Sequence, residues 1–122
     1  MDLRVGNGFD VHAFTMGDHV WLCGVKVPHG KALLGHSDAD VLVHAVCDAL
    51  LGAAGLPDIG HQFPDNDPEF KGIDSLVLLR RVGRMIADKG FTIENIDGTI
   101  IAERPQMAPH LEAMRRRLAM TL

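Results

Sequence analysis

The sequence predicts an α+β fold, a two-layer sandwich in which one mixed β-sheet is covered on one face by helices. The chain has 122 residues, of which 47% are hydrophobic and 23% charged, an ordinary balance for a globular domain. Its predicted elements follow the order β-β-α-α-β-α, and helices packed on one side of a sheet are the simplest way to bury their apolar faces. We therefore predict a single domain over residues 1–122, which is long enough to bury a core without disulfides.

The first half of the chain supplies two predicted strands and a helix. Residues 3–14 are predicted as a first strand, interrupted by two glycines, and residues 19–27 as a second. Asp38 or Asp40 begins a helix that we expect to end near residue 54, since an acidic side chain there caps free amides at the positive end of the helix dipole.

The second half alternates loops with two further helices and a strand. Residues 58–72 are predicted as a long polar loop, a type of segment that often carries function. A helix begins at Asp74 and stops at Gly90, residues 91–102 form a third strand, and residues 109–118 form the last helix.

Charge and hydropathy exclude several classes of protein. The formal net charge of −4 argues against a nucleic-acid surface, and no apolar stretch is long enough to span a bilayer. No leader pattern opens the chain, and the isolated Cys23 and Cys47 are expected to be buried, reduced thiols. We predict a cytoplasmic protein with neither a nucleic-acid nor a membrane partner.

Asp10, His12 and His44 are candidate metal ligands. Asp10 and His12 are two residues apart, so on a strand both side chains leave the same face. His44 lies inside a predicted helix and can bring a third ligand from another element. A carboxylate with two imidazoles suits a divalent transition metal that keeps an open position for substrate.

Two other histidine-containing patterns leave alternatives open. Asp40, His44 and Asp48 are spaced four apart on one helix face, so a carboxylate one turn away could orient the His44 ring, or the three could form a solvated polar face. His36 precedes a capping acid; it could position a phosphate or act as an acid or base, or simply bond to the backbone.

Two loops offer groups for a phosphorylated sugar and a base. Asp58 suits sugar hydroxyls and the amides near Gly60 suit phosphate oxygens, whereas Asx-turn chemistry at Asp65 and Asp67 is the alternative. Exposed amides in residues 102–108 could contact a base edge, although spacing alone favours a plain connection.

Four segments, in order and over nearly the whole chain, carry a resemblance to a known family. They are GFDVHAF, LLGHSDADVLVHAVCDALLGAAGLPDIG, FPDNDPEFKGIDS and TIIAERPQMAPHLEAMR. The chain resembles the 2-C-methyl-D-erythritol 2,4-cyclodiphosphate synthase family of the non-mevalonate isoprenoid pathway.

The resemblance implies a lyase that forms a homotrimer with active sites between subunits. The implied substrate is 4-diphosphocytidyl-2-C-methyl-D-erythritol 2-phosphate, whose 2-phosphate attacks the β-phosphorus so that CMP leaves and a cyclic diphosphate forms. Zinc, as the usual metal, would be held by Asp10, His12 and His44, and a second cation, Mg or Mn, would bridge the α and β phosphates.

The resemblance also implies roles for individual residues. His36 matches the family's histidine that stabilises the transition state, and Ser37 matches a substrate contact beside it. Further substrate contacts are implied at Asp10, Val11, His12, Asp58, Ile59, Gly60, Phe63, Pro64, Asp65, Asn66 and Asp67. The cytidine-binding segment is implied at Ala102, Glu103, Arg104, Pro105, Gln106, Met107 and Ala108, with Gln106 where lysine is common.

The end of the chain departs from the family pattern. Family members continue into another strand, a Thr-Thr-x-Glu segment and a glycine-rich stretch, and nothing here matches them. The threonine is the second transition-state residue and the glutamate binds the second cation. We therefore expect a C-terminally truncated chain, with a catalytically incomplete metal- or ligand-binding fragment as the alternative function. A fused cytidylyltransferase domain is a further possibility that the family implies.

Overall fold

The structure, a computed structural model, describes residues 2–35, 38–64, 67–70 and 74–122. It confirms the α+β class. Its strands are β1 (Phe14–Met16), β2 (His19–Leu22), β3 (Val25–Pro28) and β4 (Lys31–Leu33). Its helices are α1 (Val41–Ala53), α2 (Ile59–Gln62), α3 (Ser75–Asp88) and α4 (Leu111–Thr121), with single 3₁₀ turns at Pro68–Phe70 and Ala108–His110.

The described strands form two antiparallel pairs. β1 pairs with β4, with Thr15 opposite Ala32, and β2 pairs with β3, with Val20 opposite Val27. In the described ranges these are two separate two-stranded sheets. The prediction of one mixed sheet is therefore wrong for this part of the chain.

The predicted second strand is in fact a tight hairpin. Cys23 and Gly24 separate β2 from β3 and both have positive φ, 51° and 71°. Two consecutive residues with positive φ give the turn whose twist matches that of paired strands. The backbone amides of this turn donate to the Asp40 carboxylate at 2.9 and 2.8 Å, so the hairpin is tied to the start of α1.

The predicted strands at 3–14 and 91–102 are also corrected, because only Phe14 of the two belongs to a strand. Residues 2–6 and 90–97 line a groove of about 730 Å³, to which α1 contributes Val46, Ala49 and Leu50. A strand needs a backbone partner for its ladder. Both segments run along this groove, and within the described ranges neither forms a ladder with another strand.

Gly6 and Gly8 let the N-terminal segment lie directly on α1. A Cβ at Gly6 would overlap the carbonyl oxygen of Ala49, and one at Gly8 would overlap that of Ala45. Only glycine permits so close an approach between two backbones. The contact guides the next residues of the segment toward the beginning of α1.

The predicted boundaries of α1 and α3 are confirmed by their caps. The Asp40 side chain accepts from the Val43 amide, and the Asp74 side chain accepts from the Leu76 amide. The two helices share the larger core cluster, which includes Val43, Val46, Cys47, Leu51, Leu76, Leu79, Val82 and Ile86. Each fully buried aliphatic side chain contributes roughly 1.5–3 kcal/mol, so this pair of helices is the main support of the site.

A smaller core cluster joins the hairpin to α4. Val20, Leu22 and Val27 pack with Met114, which is 2% exposed. Cys23 and Cys47 are free and buried, as predicted. Among the helices in the described ranges, none has the length and apolar character needed to cross a membrane.

Candidate metal centre

Asp10, His12 and His44 meet at one point, and one ligand atom from each lies within 4.8 Å of the others. His12 Nε2 is 2.9 Å from Asp10 Oδ2, and His44 Nδ1 is 3.2 Å from the same oxygen. The structure thus brings together the three side chains that the sequence predicts as metal ligands. Two come from the N-terminal segment and the third from α1.

The N-terminal segment keeps the alternation of a strand although it forms no ladder there. Gly8, Asp10 and His12 are partly buried, whereas Phe9 and Val11 between them are exposed. A period of two places alternate side chains on one face. Asp10 and His12 therefore both face α1, where His44 is buried.

The His12 ring is held by the backbone of the segment after β4. Its Nδ1 lies 2.7 Å from the carbonyl oxygen of Leu34. A carbonyl can only accept, so Nδ1 donates to it, and Nε2 is the ring nitrogen that faces Asp10. A backbone contact of this kind fixes both the tautomer and the orientation of a metal-binding histidine.

The His44 ring is held on its other side by α3. Its Nε2 lies 2.8 Å from the hydroxyl of Ser75, which also bonds to Asp38. The prediction that Asp40 or Asp48 orients this ring is wrong. The Asp40 carboxylate binds the amides of Cys23, Gly24 and Val43, and Asp48 accepts from the amide of Ile59.

Sequence reasoning missed Ser75 and Asp38, which lie 37 residues apart. Ser75 resembles an ordinary first residue of a helix, and its contact with His44 depends on how α1 and α3 pack. A clue existed in Asp38 and Asp40, since one helix start needs only one capping carboxylate. The second acid was therefore available for another partner.

Opposing effects shift the pKa values of the site. Burial acts to raise the pKa of Asp10, but the hydrogen bond with His44 and the charge of His12 outweigh it and lower that pKa. Burial acts to lower the pKa of His44, but the hydrogen bond with Asp10 and the charges of Asp10, Asp38 and Asp40 raise it overall. The site therefore favours positive charge beside the Asp10 carboxylate.

The donor set fits a divalent transition metal. With both rings neutral and held as described, lone pairs of two imidazoles and a carboxylate converge without a proton between them. A cation satisfies all three at once, and one carboxylate with two imidazoles is a zinc-type set with room for a further ligand. The side chains of Asp10, His12 and His44 remain 26%, 16% and 11% exposed, so a substrate can reach the site.

The other predicted site residues are only partly described. His36, Ser37, Asp65 and Asn66 lie outside the described residues, so the structure tests no role for them. The predicted loop 58–72 contains the short helix α2, and Asp58 caps it by accepting from the His61 amide at 3.0 Å. The Asp58 carboxylate also contacts the His61 ring at 2.7 Å, a hydrogen bond that lowers the pKa of Asp58.

Other loop residues have mixed exposure. Phe63, Pro64 and Asp67 are half-buried, and Ile59 is half-buried beside Gly60, which is exposed. Residues 102–108 connect the end of residues 91–102, which form no strand, to the 3₁₀ turn before α4. Pro105 and Met107 are half-buried in this run, and its other members are exposed.

The fold and this centre define an α+β domain with a three-residue metal-type site, and comparison with known proteins supplies the family. The YgbB family matches residues 3–122, and the chain belongs to that family. A 2-C-methyl-D-erythritol 2,4-cyclodiphosphate synthase of Thioalkalivibrio sulfidiphilus is 60% identical over 118 residues, covering 97% of this chain and 74% of the relative. The predicted family is thus confirmed, and the match favours an enzyme of isoprenoid biosynthesis over an incomplete binding fragment.

Two solved structures share the fold. A bifunctional IspDF from Campylobacter jejuni has a TM-score of 0.94 at 41% identity and matches 99% of this chain, which spans 33% of that protein. An IspF of Plasmodium falciparum, in complex with CDP, has a TM-score of 0.82 at 32% identity and covers 98% of this chain and 72% of that one.

Proposed function

We propose that this protein converts 4-diphosphocytidyl-2-C-methyl-D-erythritol 2-phosphate to 2-C-methyl-D-erythritol 2,4-cyclodiphosphate and CMP. The observation that carries the proposal is the convergence of Asp10, His12 and His44 in a member of the YgbB family. The name of the Thioalkalivibrio sulfidiphilus relative supports the choice of product.

Asp10, His12 and His44 would hold the metal, for which zinc is our choice on the basis of the donor set. When bound, such an ion supplies Lewis-acid polarisation and orientation of phosphate oxygens. The reaction needs no protein nucleophile, since a phosphate of the substrate attacks and CMP leaves. The chain's task is to position the two phosphates and balance their charge.

The remaining substrate contacts are proposals of the same kind. His36 would stabilise the transition state beside Ser37, residues 58–60 and 63–67 would bind the methylerythritol phosphate, and residues 102–108 would bind the cytidine. The CDP complex of the Plasmodium falciparum protein supports a cytidine nucleotide as ligand. A second cation, Mg or Mn, would act on the α and β phosphates, through a glutamate for which this sequence offers no match.

We also propose a homotrimer. Leu3, Val5, Phe9 and Val11 are 70%, 87%, 78% and 75% exposed and recur at odd positions of the N-terminal segment. An apolar row of this kind, next to a functional site, is typical of an interface between subunits. The row lies on the face of the segment opposite Asp10 and His12, so one segment would serve both the site and the interface.

Cellular context forms the last part of the proposal. The bifunctional Campylobacter jejuni protein supports a fused cytidylyltransferase domain, which sequencing of the gene on both sides of these 122 residues would test. The free, buried Cys23 and Cys47 support a cytoplasmic location, since thiols stay reduced there.

A turnover assay tests the proposed reaction. The protein is loaded with zinc and magnesium and incubated with the cytidine diphosphate substrate, and CMP and inorganic phosphate are separated chromatographically. We expect CMP and cyclic diphosphate from the full-length gene product, and a loss of roughly 100-fold or more when it carries His44→Ala, because several kcal/mol of charge stabilisation would disappear. His29→Ala, at a turn, is the matched control and should retain turnover. Release of inorganic phosphate in place of CMP would show a phosphohydrolase instead.

A further inference from the structure

We propose that Ser75 and Asp38 are positioning residues that set the tautomer and orientation of His44 for metal binding. The inference rests on the proposed metal site. It assigns a function to the first residue of α3 and to an acid that is not needed as a helix cap.

The contacts form a continuous chain from Asp38 to the site. Ser75 is fully buried, and its hydroxyl contacts both His44 Nε2, at 2.8 Å, and Asp38 Oδ1. The Ser75 amide donates to Asp38 Oδ2 at 2.9 Å, and the amide of Asp40 donates to Asp38 Oδ1 at 3.0 Å. Asp38 is therefore fixed to the start of both long helices.

The direction of each proton follows from what these groups can do. An ionised carboxylate only accepts, so Asp38 receives the two amide protons and also the hydroxyl proton of Ser75. The Ser75 oxygen then has lone pairs but no proton left for His44. His44 Nε2 must donate to it, which leaves Nδ1, the nitrogen that faces Asp10, as the one that can release its proton and bind a metal.

This arrangement matters because only an unprotonated nitrogen can bind a metal. The opposite tautomer would place a proton on Nδ1, between the ring and the ion. Groups that hold the far nitrogen of a metal-binding histidine typically change metal affinity by about 10- to 100-fold when removed. His12 is held in the same way by the Leu34 carbonyl, at 2.7 Å.

Helix capping does not account for the two residues. The Asp40 side chain caps α1 and the Asp74 side chain caps α3, each by accepting an amide of its own first turn. Asp38 also accepts the Ser75 amide at the start of α3, but that contact leaves the Ser75 hydroxyl unexplained, and this hydroxyl contacts both Asp38 and His44. Their contact serves the histidine.

Zinc affinity is the first test, measured by competition with a chromophoric chelator. We expect Ser75→Ala to weaken zinc binding by about 10- to 100-fold. Asp74→Ala is the matched control, because it weakens the start of the same helix and leaves the Ser75 hydroxyl in place; its affinity should stay within about 2-fold of the native value. Equal affinity in Ser75→Ala and the native protein would overturn the inference, as would an equal loss in Asp74→Ala.

The proton on Nε2 is the second test, and it does not depend on activity. In ¹⁵N-labelled, zinc-loaded protein, two-bond ¹H–¹⁵N spectra should show His44 protonated at Nε2, with that proton protected from exchange by its bond to Ser75. Asp38→Asn removes a group that only accepts and puts an amide N–H₂ beside Ser75 or its backbone, so we expect the Nε2 proton to lose part of this protection. Equal protection in Asp38→Asn and the native protein, or a zinc-loaded native protein with His44 protonated at Nδ1, would contradict the proposal.

The same titrations separate this inference from the proposed site. If the native protein binds one zinc and His44→Ala abolishes binding, the metal site is supported. The zinc affinity of Ser75→Ala then tests the positioning role alone. If the native protein binds no zinc, or His44→Ala binds it equally well, the metal site itself is wrong.

Discussion

At the scale of single residues, the centre is organised by the groups behind each ligand. The Asp10 carboxylate contacts both histidine rings. On the sides of the rings away from Asp10, the Leu34 carbonyl binds His12 and the Ser75 hydroxyl binds His44. The rings therefore cannot turn without breaking a hydrogen bond in a partly buried place, at a cost of about 1–3 kcal/mol. The result is a site whose geometry is set before any ion arrives.

Asp10 is the residue whose charge the site depends on most. Asp10→Asn keeps the size of the side chain but removes the negative charge and replaces an acceptor with a donor. We expect its zinc affinity to fall by more than about 100-fold, beyond the loss that removal of a supporting group causes. Isothermal titration with zinc provides the measurement, and Asp18→Asn, on an exposed carboxylate between β1 and β2, is the control. Retention of native affinity by Asp10→Asn would remove Asp10 from the ligand set.

Asp40 is predicted to make stability depend on pH. Burial raises the pKa of Asp40 to about 6 from its usual 3.8, even though three backbone amides donate to it. Between these two values the folded protein holds a proton that the unfolded chain has released, so the free energy of unfolding falls as pH rises. The change is about 2 kcal/mol between pH 4 and pH 6.

Urea unfolding of the metal-free protein at several pH values provides the measurement for Asp40. Asp40→Asn cannot titrate, so its free energy of unfolding should lack this decline, although the variant is less stable overall because it loses amide partners. The lowered pKa of Asp10 makes the free energy of unfolding depend on pH only below pH 3.8. The raised pKa of His44 does so only above pH 6.5, so neither residue contributes in this window. Equal pH dependence in both proteins would show that Asp40 is not the titrating group.

Single residues also mark the limit of what the sequence could predict about the site. The spacing of Asp10 and His12 and the helical setting of His44 were enough to select the three groups that the structure brings together. The partners of His44 were not predictable, because Ser75 reaches it through the packing of α3 on α1. The same packing assigns Asp40 to the hairpin turn, a contact 17 residues away that no local pattern indicates.

At the scale of elements, helices were predicted better than strands. The starts of α1 and α3 follow from Asp40 and Asp74, since a cap is a contact within a few residues. A strand depends on a partner elsewhere in the chain, so residues 91–102 have strand-like composition but form none. The hairpin at Cys23 was missed because alternation continues on both sides of a two-residue turn, and Gly24 was its only local mark.

The contact between the N-terminal segment and α1 gives a prediction at this scale. Gly8→Ala places a methyl group against the Ala45 carbonyl, so the segment must move away from the helix. We expect a loss of about 1–3 kcal/mol in the free energy of unfolding. Zinc affinity should fall as well, because Asp10 follows two residues later. Gly52→Ala, on α1 where a Cβ meets nothing within 4 Å, is the control and should preserve both quantities. Unchanged zinc affinity in Gly8→Ala would show that the site does not depend on this contact.

At the scale of the whole molecule, the exposed apolar row on the N-terminal segment supports the proposed assembly of several chains. Val5, Phe9 and Val11 are all at least 75% exposed, on the face opposite Asp10 and His12. Exposure of such an apolar surface to water is unfavourable. Its burial between subunits would contribute roughly 25 cal/mol per Å² to the free energy of association. The metal centre and the proposed interface therefore lie on the two faces of one short segment.

Sedimentation equilibrium tests the assembly that this arrangement predicts. The native protein should have three times the mass of one chain, and Phe9→Glu should shift the population toward monomers because a buried, unpaired carboxylate opposes association. Met120→Glu introduces the same charge at a side chain that is 85% exposed on α4, outside the row, and should leave the trimer intact. Zinc affinity measured on the monomers would then separate assembly from the metal site, since all three proposed ligands come from one chain. A native protein that sediments as a single chain, or a Phe9→Glu variant that remains trimeric, would show that this row is not the interface.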